Sequence, residues 1–409
     1  MNASAKPTSL INPLFPHKVC INLDRRFERW EQMQNKFEQH GIHSVQRFAA
    51  VDGETSTIPA HWDGTPGAYG CLLSHLEVVR EARRLGLSHV LIFEDDVVFD
   101  DEFEKKFGHY IQQLPADWDM LFFGALHKDE LVKVSENIGR ITQSNSTYAC
   151  ALRNTVFDAF IELNSKTSDV LDVNSLELQK RFHCYCFLPH LAWVEFDHSD
   201  AQQKLVHHWY LRESLVLFGP QVDRLLSDTT IVFAYSDRTP RSAENLRCLV
   251  EYHDRFFSPH IAMVVVEQGT ESTLDRKTLP ANCDYIFLRD ARSFDPQRCF
   301  DAGIQHSGTS REYFILSDSD LYLETLDIRA NLRMCERYDR VTGFSHIIEL
   351  TPEASQCLRA TKSVRGLDIP ANGSTNNGHY QFLNRRAIQT QTALRVFQSP
   401  NFALRLAGS

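Results

Sequence analysis

The chain has 409 residues, a formal net charge of −10, and a composition of 43% hydrophobic and 23% charged residues. That length exceeds what one hydrophobic core usually serves and predicts two domains, and the composition excludes a disordered chain. The negative balance, with no Lys/Arg stripe, excludes a nucleic-acid binder, and no run reaches the roughly 18 apolar residues of a membrane span.

In chain order, residues 1–17 read as a flexible N-terminus. A first domain over 18–208 opens with the apolar strand Lys18–Leu23, followed by a helix from Arg25 to Gln39 with Phe27, Trp30, Met33 and Phe37 at helical spacing and Gly41 as its cap. Arg47–Gly53 reads as a strand and turn, Pro59–Gly70 as a Gly/Pro-punctuated loop, and Leu72–Leu85 as a second helix. The strand His89–Phe93 then ends in Glu94-Asp95-Asp96 before apolar residues resume at Val97. Weaker strands follow at 120–124, 147–152 and 188–194, and 209–228 reads as a connector. His183, Cys184, Cys186 and His190 fit no common zinc spacing and read as strand packing.

The second domain, 229–409, repeats the grammar. A strand at 230–235, a helix from Ser242 to Phe256, strands at 261–268 and 285–288 and a helix from Pro296 to Gln305 lead to Tyr313–Leu316, which ends in Asp318-Ser-Asp320. Strands alternating with helices imply an α/β fold with mostly parallel sheets, in which ligands bind beyond the carboxyl ends of the strands. The two acidic clusters stand there. Like charges so close raise one another's pKa unless a cation sits between them, which points to a divalent metal, Mg²⁺ or Mn²⁺, and to a diphosphate-bearing substrate.

Four ordered blocks in the first hundred residues, Cys20-Ile-Asn-Leu-Asp-Arg-Arg-Phe-Glu-Arg29-Trp30, Arg47-Phe-Ala-Ala-Val-Asp52-Gly53, Gly67-Ala-Tyr-Gly70-Cys71-Leu-Leu-Ser74-His75 and Phe93-Glu94-Asp95-Asp96-Val97, resemble the signature of glycosyltransferase family 25. That family includes lipooligosaccharide galactosyltransferases and procollagen galactosyltransferase-like proteins, and the similarity continues more loosely to about Gln203. The second half resembles, less specifically, a GT-A transferase of families 2 and 7, through Arg238, Arg241, Glu267, the helix Arg298–Gly303 and Asp318-Ser-Asp320. After Asn372–Phe382 the acidic segment that supplies the base in those families has no counterpart, so the second domain is expected to be catalytically incomplete. Two tandem GT-A-like, Rossmann-related domains are the implied architecture.

The resemblance implies a metal-dependent hexosyltransferase. It would move galactose or glucose from a UDP-sugar to a glycan acceptor such as lipopolysaccharide core, with the second domain adding a second sugar or binding carbohydrate without catalysis. Asp96, with Glu94 or Asp95 assisting, is assigned to the metal and the ribose-diphosphate; Asp95 reads equally as a structural acid. Asn22, Arg25 and Arg29 follow the opening strand, where they could contact base or phosphate. Asp52 could bind nucleotide or form an Asx-turn with Gly53. Ser74 and His75 are placed at a helix start, suited to phosphate or, for Ser74, to a capping role. By resemblance Asp172 is the general base and Asp200 a further metal ligand, while Asp318 and Asp320 form a second metal pair with Arg238 as a substrate contact.

A D-x-D phosphatase and a purely structural scaffold are the competing readings. The phosphatase lacks the expected hydroxyl residue after its second Asp, where Leu321-Tyr322 stands, and the scaffold leaves the doubled acids unexplained. Ten cysteines without a disulfide framework, and a first segment without a signal-peptide pattern, lead to the expectation of a cytoplasmic protein. Peripheral contact at the inner face of a membrane stays open.

Overall fold

The computed structural model describes residues 9–166, 168–194, 197–202, 204–308, 310–364, 367, 369, 378–389 and 394–408. The chain divides into two compact units after Val216. Each is α/β, built on one large sheet whose strands run mostly in one direction. Among the described residues no helix is long and apolar enough to cross a membrane.

In the first unit the sheet order is Val45–Ala49, Lys18–Asn22, His89–Glu94, Ala149–Arg153, Met120–Phe122, Cys184–Phe187, Ile138–Arg140, Val132–Lys133. Lys18–Asn22 pairs in parallel with Val45–Ala49 on one side and with His89–Glu94 on the other. The chain therefore leaves the opening strand in one direction and returns on its other side, which creates a topological switch point and a crevice beyond the carboxyl ends of these strands. Ala149–Arg153 runs antiparallel between His89–Glu94 and Met120–Phe122. Val90, Leu91, Ile92 and Phe93 are at most 1% exposed, the continuous apolar run expected of a strand covered on both faces.

Several expectations are corrected. Residues 11–14 form a short helix, and Ile11 and Phe15 are 0% and 2% exposed; the Phe15 ring packs edge-on against His89, Phe107, Trp118 and Phe123. Ile11 and Phe15 thus tie this segment into the core, while Leu10, Pro13, Leu14, Pro16 and His17 are exposed; residues 1–8 lie outside the described ones. In the first helix, Phe27–Gln39, the buried face is Arg29, Met33 and Phe37, while Phe27 is 49% exposed. The second helix begins at Pro66, six residues before the expected Leu72, with Thr65 as N-cap accepting from the Ala68 N–H. Proline there is a first-turn residue, whose missing N–H costs nothing at a helix start. The connector 209–228, within which the division after Val216 falls, is folded. It carries the helices Trp209–Arg212 and Pro220–Ser227, with Trp209, Tyr210, Leu217 and Val222 buried on either side of the division.

The second unit repeats the plan with one strand fewer in its main sheet. Its sheet order is Cys283–Arg289, Ala262–Gly269, Thr229–Tyr235, Tyr313–Asp318, Tyr380–Asn384, Arg340–Thr342, Val396–Gln398. The first four run in parallel, and Tyr380–Asn384 lies antiparallel beside the acidic strand, as Ala149–Arg153 does in the first unit. Here too the switch point lies between the opening strand and the strand that ends in acid. Residues 372–377 of the Asn372–Phe382 segment lie outside the described ones.

Candidate functional site

The crevice at the first switch point is lined by Arg25, Arg29, Asp52, Ser74, His75, Glu94, Asp95, Asp96 and Asp200. Nine of the sequence candidates thus converge from five separate stretches of chain. Asn22 lies just behind them, and Asp172 approaches from the helix Leu171–Arg181.

The acids differ in their surroundings. Asp95 is held by Asn22, whose Nδ2 donates to Oδ2 at 2.6 Å, and by Arg29, whose Nη1 lies 3.2 Å from Oδ1. Asn22 is 1% exposed; its amide also donates to the Arg26 carbonyl and accepts from Arg47 Nε. The Asn22 amide is thus engaged within the protein on both its donor and its acceptor side, and Asp95 is gripped from two sides while still lining the crevice. Arg29 is 6% exposed and belongs to this ion pair, not to a solvated helix face. Asp96 Oδ1, in contrast, is buried with no hydrogen-bond partner. Burial, and then the neighbouring Asp95, push the Asp96 carboxyl up to about 6.

Glu94 accepts from Thr147 Oγ1 at 3.3 Å and faces His75 Nε2 at 3.7 Å. His75 Nδ1 lies 3.0 Å from the Cys71 carbonyl and must carry the proton there, which leaves Nε2 with a lone pair. A lone pair facing a carboxylate is repulsive unless a proton or a cation lies between them. Burial lowers His75 to about 4, so the ring does not supply that charge. Burial and the charges of Asp96, Asp172 and Asp95 raise Glu94. Cys71, His75 and Glu94 also form a three-ligand grouping of metal-binding size, in which Cys71 escaped the sequence reading. Asp172 lies close enough to Glu94 to contribute to its rise, and burial pushes Asp172 itself up to about 6.

Arginines close the outer rim. Arg25 Nε lies 2.9 Å from Asp52 and its Nη1 2.9 Å from Asp200, while Arg26 Nη1 reaches Asp200 at 3.1 Å. Arg26 was not singled out from sequence, since the partner that reveals its role lies 174 residues downstream. Asp52 forms the turn, its Oδ1 accepting from the Glu54 N–H, and its Oδ2 holds Arg25. Ser74 lies inside the helix Pro66–Arg84, so neither the phosphate nor the capping role applies; its hydroxyl donates to the Gly70 carbonyl and accepts from the Val51 N–H. His75 is likewise mid-helix. Backbone packs on backbone around these residues: a Cβ on Gly53 would lie 1.7 Å from the Pro66 carbonyl, and one on Gly67 would lie 2.0 Å from that of Asp200. Thr65 Oγ1 donates to the Ala201 carbonyl and completes the clasp.

In the second unit Asp318 accepts from the His379 backbone N–H at 2.9 Å and faces His379 Nδ1 at 3.3 Å. Asp320, raised to about 6 by burial, lies 3.7 Å from Arg405 Nε. Arg238 adds a favourable charge toward Asp320 and stacks over Phe294 at 4.4 Å. Among the described residues these acids gather no third carboxylate, histidine or cysteine into a metal-sized cluster.

An α/β unit with acids and arginines gathered in the crevice of a switch point has the form of an open α/β sheet, the class in which that crevice is the usual ligand position. Residues 15–143 match the model of glycosyltransferase family 25 (LPS biosynthesis protein). A "Glycosyltransferase 25 family member" of Drosophila pseudoobscura pseudoobscura is 34% identical over 127 residues, 26% of this chain and 20% of the relative. Human "Procollagen galactosyltransferase 2" is 28% identical over 164 residues, 33% and 26% of the two chains, and mouse "Inactive glycosyltransferase 25 family member 3" is 28% identical over 172 residues, 37% and 29%. The aligned part thus spans less than a third of the length of each of these relatives. A solved glucosyl-3-phosphoglycerate synthase from Mycobacterium tuberculosis, in complex with Mn²⁺, UDP and phosphoglyceric acid, is similar at 12% identity and a TM-score of 0.28, covering 46% of this chain and 75% of that one. The family match contains Asn22 through Asp96 and stops before Asp172 and Asp200.

Proposed function

We propose that the first unit is a glycosyltransferase that moves a hexose, galactose or glucose, from a UDP-sugar to a hydroxyl of a glycan acceptor such as lipopolysaccharide core. The observation that carries this reading is the buried, unpartnered Asp96 Oδ1 beside the raised carboxyl of Glu94, in a crevice rimmed by arginines. The donor set fits a hard divalent cation, Mn²⁺ or Mg²⁺: carboxylate oxygen, mutual repulsion that only a cation or protons relieve, and an oxygen with nothing else to bind. Asp96 and Glu94 would hold that ion, which supplies Lewis-acid stabilisation of the leaving diphosphate. Asp200 stays in reach as a rim acid, although Arg25 and Arg26 occupy its carboxylate.

The chain's own residues do the rest. Arg25 and Arg29 bring positive charge to a site that must accept phosphate, and Asn22 with Arg29 keeps Asp95 fixed behind it. Asp172, with its carboxyl near 6, is ionised at neutral pH yet basic enough to take a proton from an acceptor hydroxyl. We assign the second unit to carbohydrate binding without catalysis, because His379 occupies the Asp318 carboxylate that would otherwise meet a metal. The test is hydrolysis and transfer from a panel of UDP-sugars with Mn²⁺, comparing wild type, Asp96→Ala, and Asp318→Ala with Asp320→Ala. Loss of turnover in Asp96→Ala alone supports the assignment, and loss of a separate activity in the double variant establishes a second working site. Turnover untouched by Asp96→Ala sinks it.

A further inference from the structure

His127, Cys186 and His190 do not line the crevice. His127 ends the short strand Leu126–His127, Cys186 belongs to the strand Cys184–Phe187, and His190 follows that strand in a loop. All three are at most 1% exposed. His127 Nε2 and His190 Nε2 are 2.8 Å apart, and one nitrogen of each ring and Cys186 Sγ fall within 4.8 Å of one another. The sequence had paired Cys186 and His190 only with His183 and Cys184. His183 turns instead to Asp117, and Cys184, although it shares a core cluster with Cys186, is not part of the metal-sized group.

The outer nitrogens decide what this cluster can do. His190 Nδ1 lies 2.7 Å from the Leu211 carbonyl, which can only accept, so His190 carries its proton there and presents a lone pair at Nε2. His127 Nδ1 is held by Ser144 Oγ at 2.8 Å, and Ser144 is itself fixed by Gln179 through its backbone N–H and carbonyl. Two imidazoles are therefore anchored from behind and aimed at one point beside a thiol. Metal-bound histidines are oriented in this way, with the second nitrogen donating to a carbonyl or another oxygen. Gly124 lets the neighbouring backbone close in behind, since a Cβ there would lie 3.2 Å from His190 Cβ and 2.1 Å from the Ala192 carbonyl.

We propose that His127, Cys186 and His190 form a buried three-ligand site for a thiophilic divalent cation, Zn²⁺, with a water to complete the tetrahedron, separate from the carboxylate site in the crevice. Two neutral imidazoles and one sulfur are the donors Zn²⁺ prefers, and they offer nothing to Mn²⁺ or Mg²⁺, which seek oxygen. Zn–N bonds of about 2.0 Å in tetrahedral array place two nitrogens roughly 3.3 Å apart, so the rings need part by only about 0.5 Å. Protons balance simply. The Cys186 thiol loses its proton to solvent on binding; His127 moves its proton from Nε2 to Nδ1, where Ser144 Oγ changes from donor to acceptor. Because the site is buried, the ion enters while the chain folds and then ties together segments 59 residues apart in sequence, from His127 to Cys186. This inference stands whether or not the transferase reading holds.

The test uses the full chain, produced with added zinc and dialysed against a chelator, then analysed for metal. A second sample is unfolded in chelator and refolded with Co²⁺, whose thiolate charge-transfer and tetrahedral ligand-field bands report a sulfur-containing site. One retained zinc per chain, together with cobalt bands that vanish in Cys186→Ser and in His190→Gln but persist in Cys71→Ser, supports the proposal. The Cys71→Ser control separates this site from the Cys71, His75 and Glu94 grouping. No retained zinc and no charge-transfer band in the wild type would overturn it, as would bands that survive in Cys186→Ser. The wild-type arm keeps the test decisive even where a variant fails to fold.

Discussion

Asp96→Asn is expected to abolish sugar transfer and at the same time to stabilise the metal-free protein at neutral pH. The Asp96 carboxyl is pushed up to about 6 in the folded chain, mainly by burial. Against an unfolded value near 3.9, the difference of about two pKa units at 1.36 kcal/mol each amounts to roughly 3 kcal/mol. The sign follows from proton uptake. A carboxyl with a raised folded value contributes stability that is fully present below pH ~4 and is lost as pH rises through about 6, because the folded state holds the proton longer. Asparagine keeps the shape and removes the charge, but its own unpartnered amide end returns about 1–2 kcal/mol of that gain. A net stabilisation of about 1–2 kcal/mol therefore remains at neutral pH. Urea titrations in chelator at about pH 4 and about pH 7 read it as a difference between variant and wild type, so that titrating groups beyond the reach of Asp96 cancel. Added Mn²⁺ at roughly a hundred times its dissociation constant restores about 2.7 kcal/mol to the wild type and nothing to the variant. A variant that is less stable than wild type at neutral pH in chelator, or that is stabilised by Mn²⁺ as well as wild type, would refute the reasoning.

Asp172→Asn is expected to lower kcat by about 10²–10⁴ with little change in donor affinity, and to remove the acidic limb of the pH–rate profile, whose wild-type midpoint lies near 6. Persistence of that limb in the variant removes Asp172 from the base role. Gly67→Ala drives a methyl group to within 2.0 Å of the Asp200 carbonyl. It should cost about 1–3 kcal/mol and raise the donor KM by displacing the rim acid, whereas unchanged kinetics would show that the clasp does not shape the site. Phe15→Ala is expected to destabilise the first unit by about 3–5 kcal/mol in chemical denaturation, since the ring is buried among four aromatic neighbours; a true tail residue would cost nothing.

Continuous apolar runs made the strands legible. Leu91, Ile92 and Phe93 can only be a covered strand, and the acids that follow must then stand at its carboxyl end. The long-range pairing was not legible. Arg26 looked like one more charge on a helix start until Asp200 arrived to pair with it. Asn22 looked like a ligand contact because polar residues after a strand often are, yet Asp95 and the Arg26 carbonyl use both of its donors. The helix start was misplaced because Pro66, Gly67 and Gly70 read as loop residues, when they are what permits close packing against Val51, Gly53 and Asp200. His127 carried no local signal at all, since its partners lie about sixty positions away.

The position of Ala149–Arg153 in the first sheet has a consequence for synthesis. This strand is the link between His89–Glu94 and Met120–Phe122, so the half-sheet that bears Glu94 has no bonded neighbour on that side until the ribosome has passed residue 153. The rim then waits for Asp200. Contacts of such long sequence separation form slowly and leave an apolar strand edge open in the meantime. A nascent first unit released early would accordingly be a substrate for chaperones, and its folding should be set by arrival of the last third of the unit rather than by the segment that carries the acids.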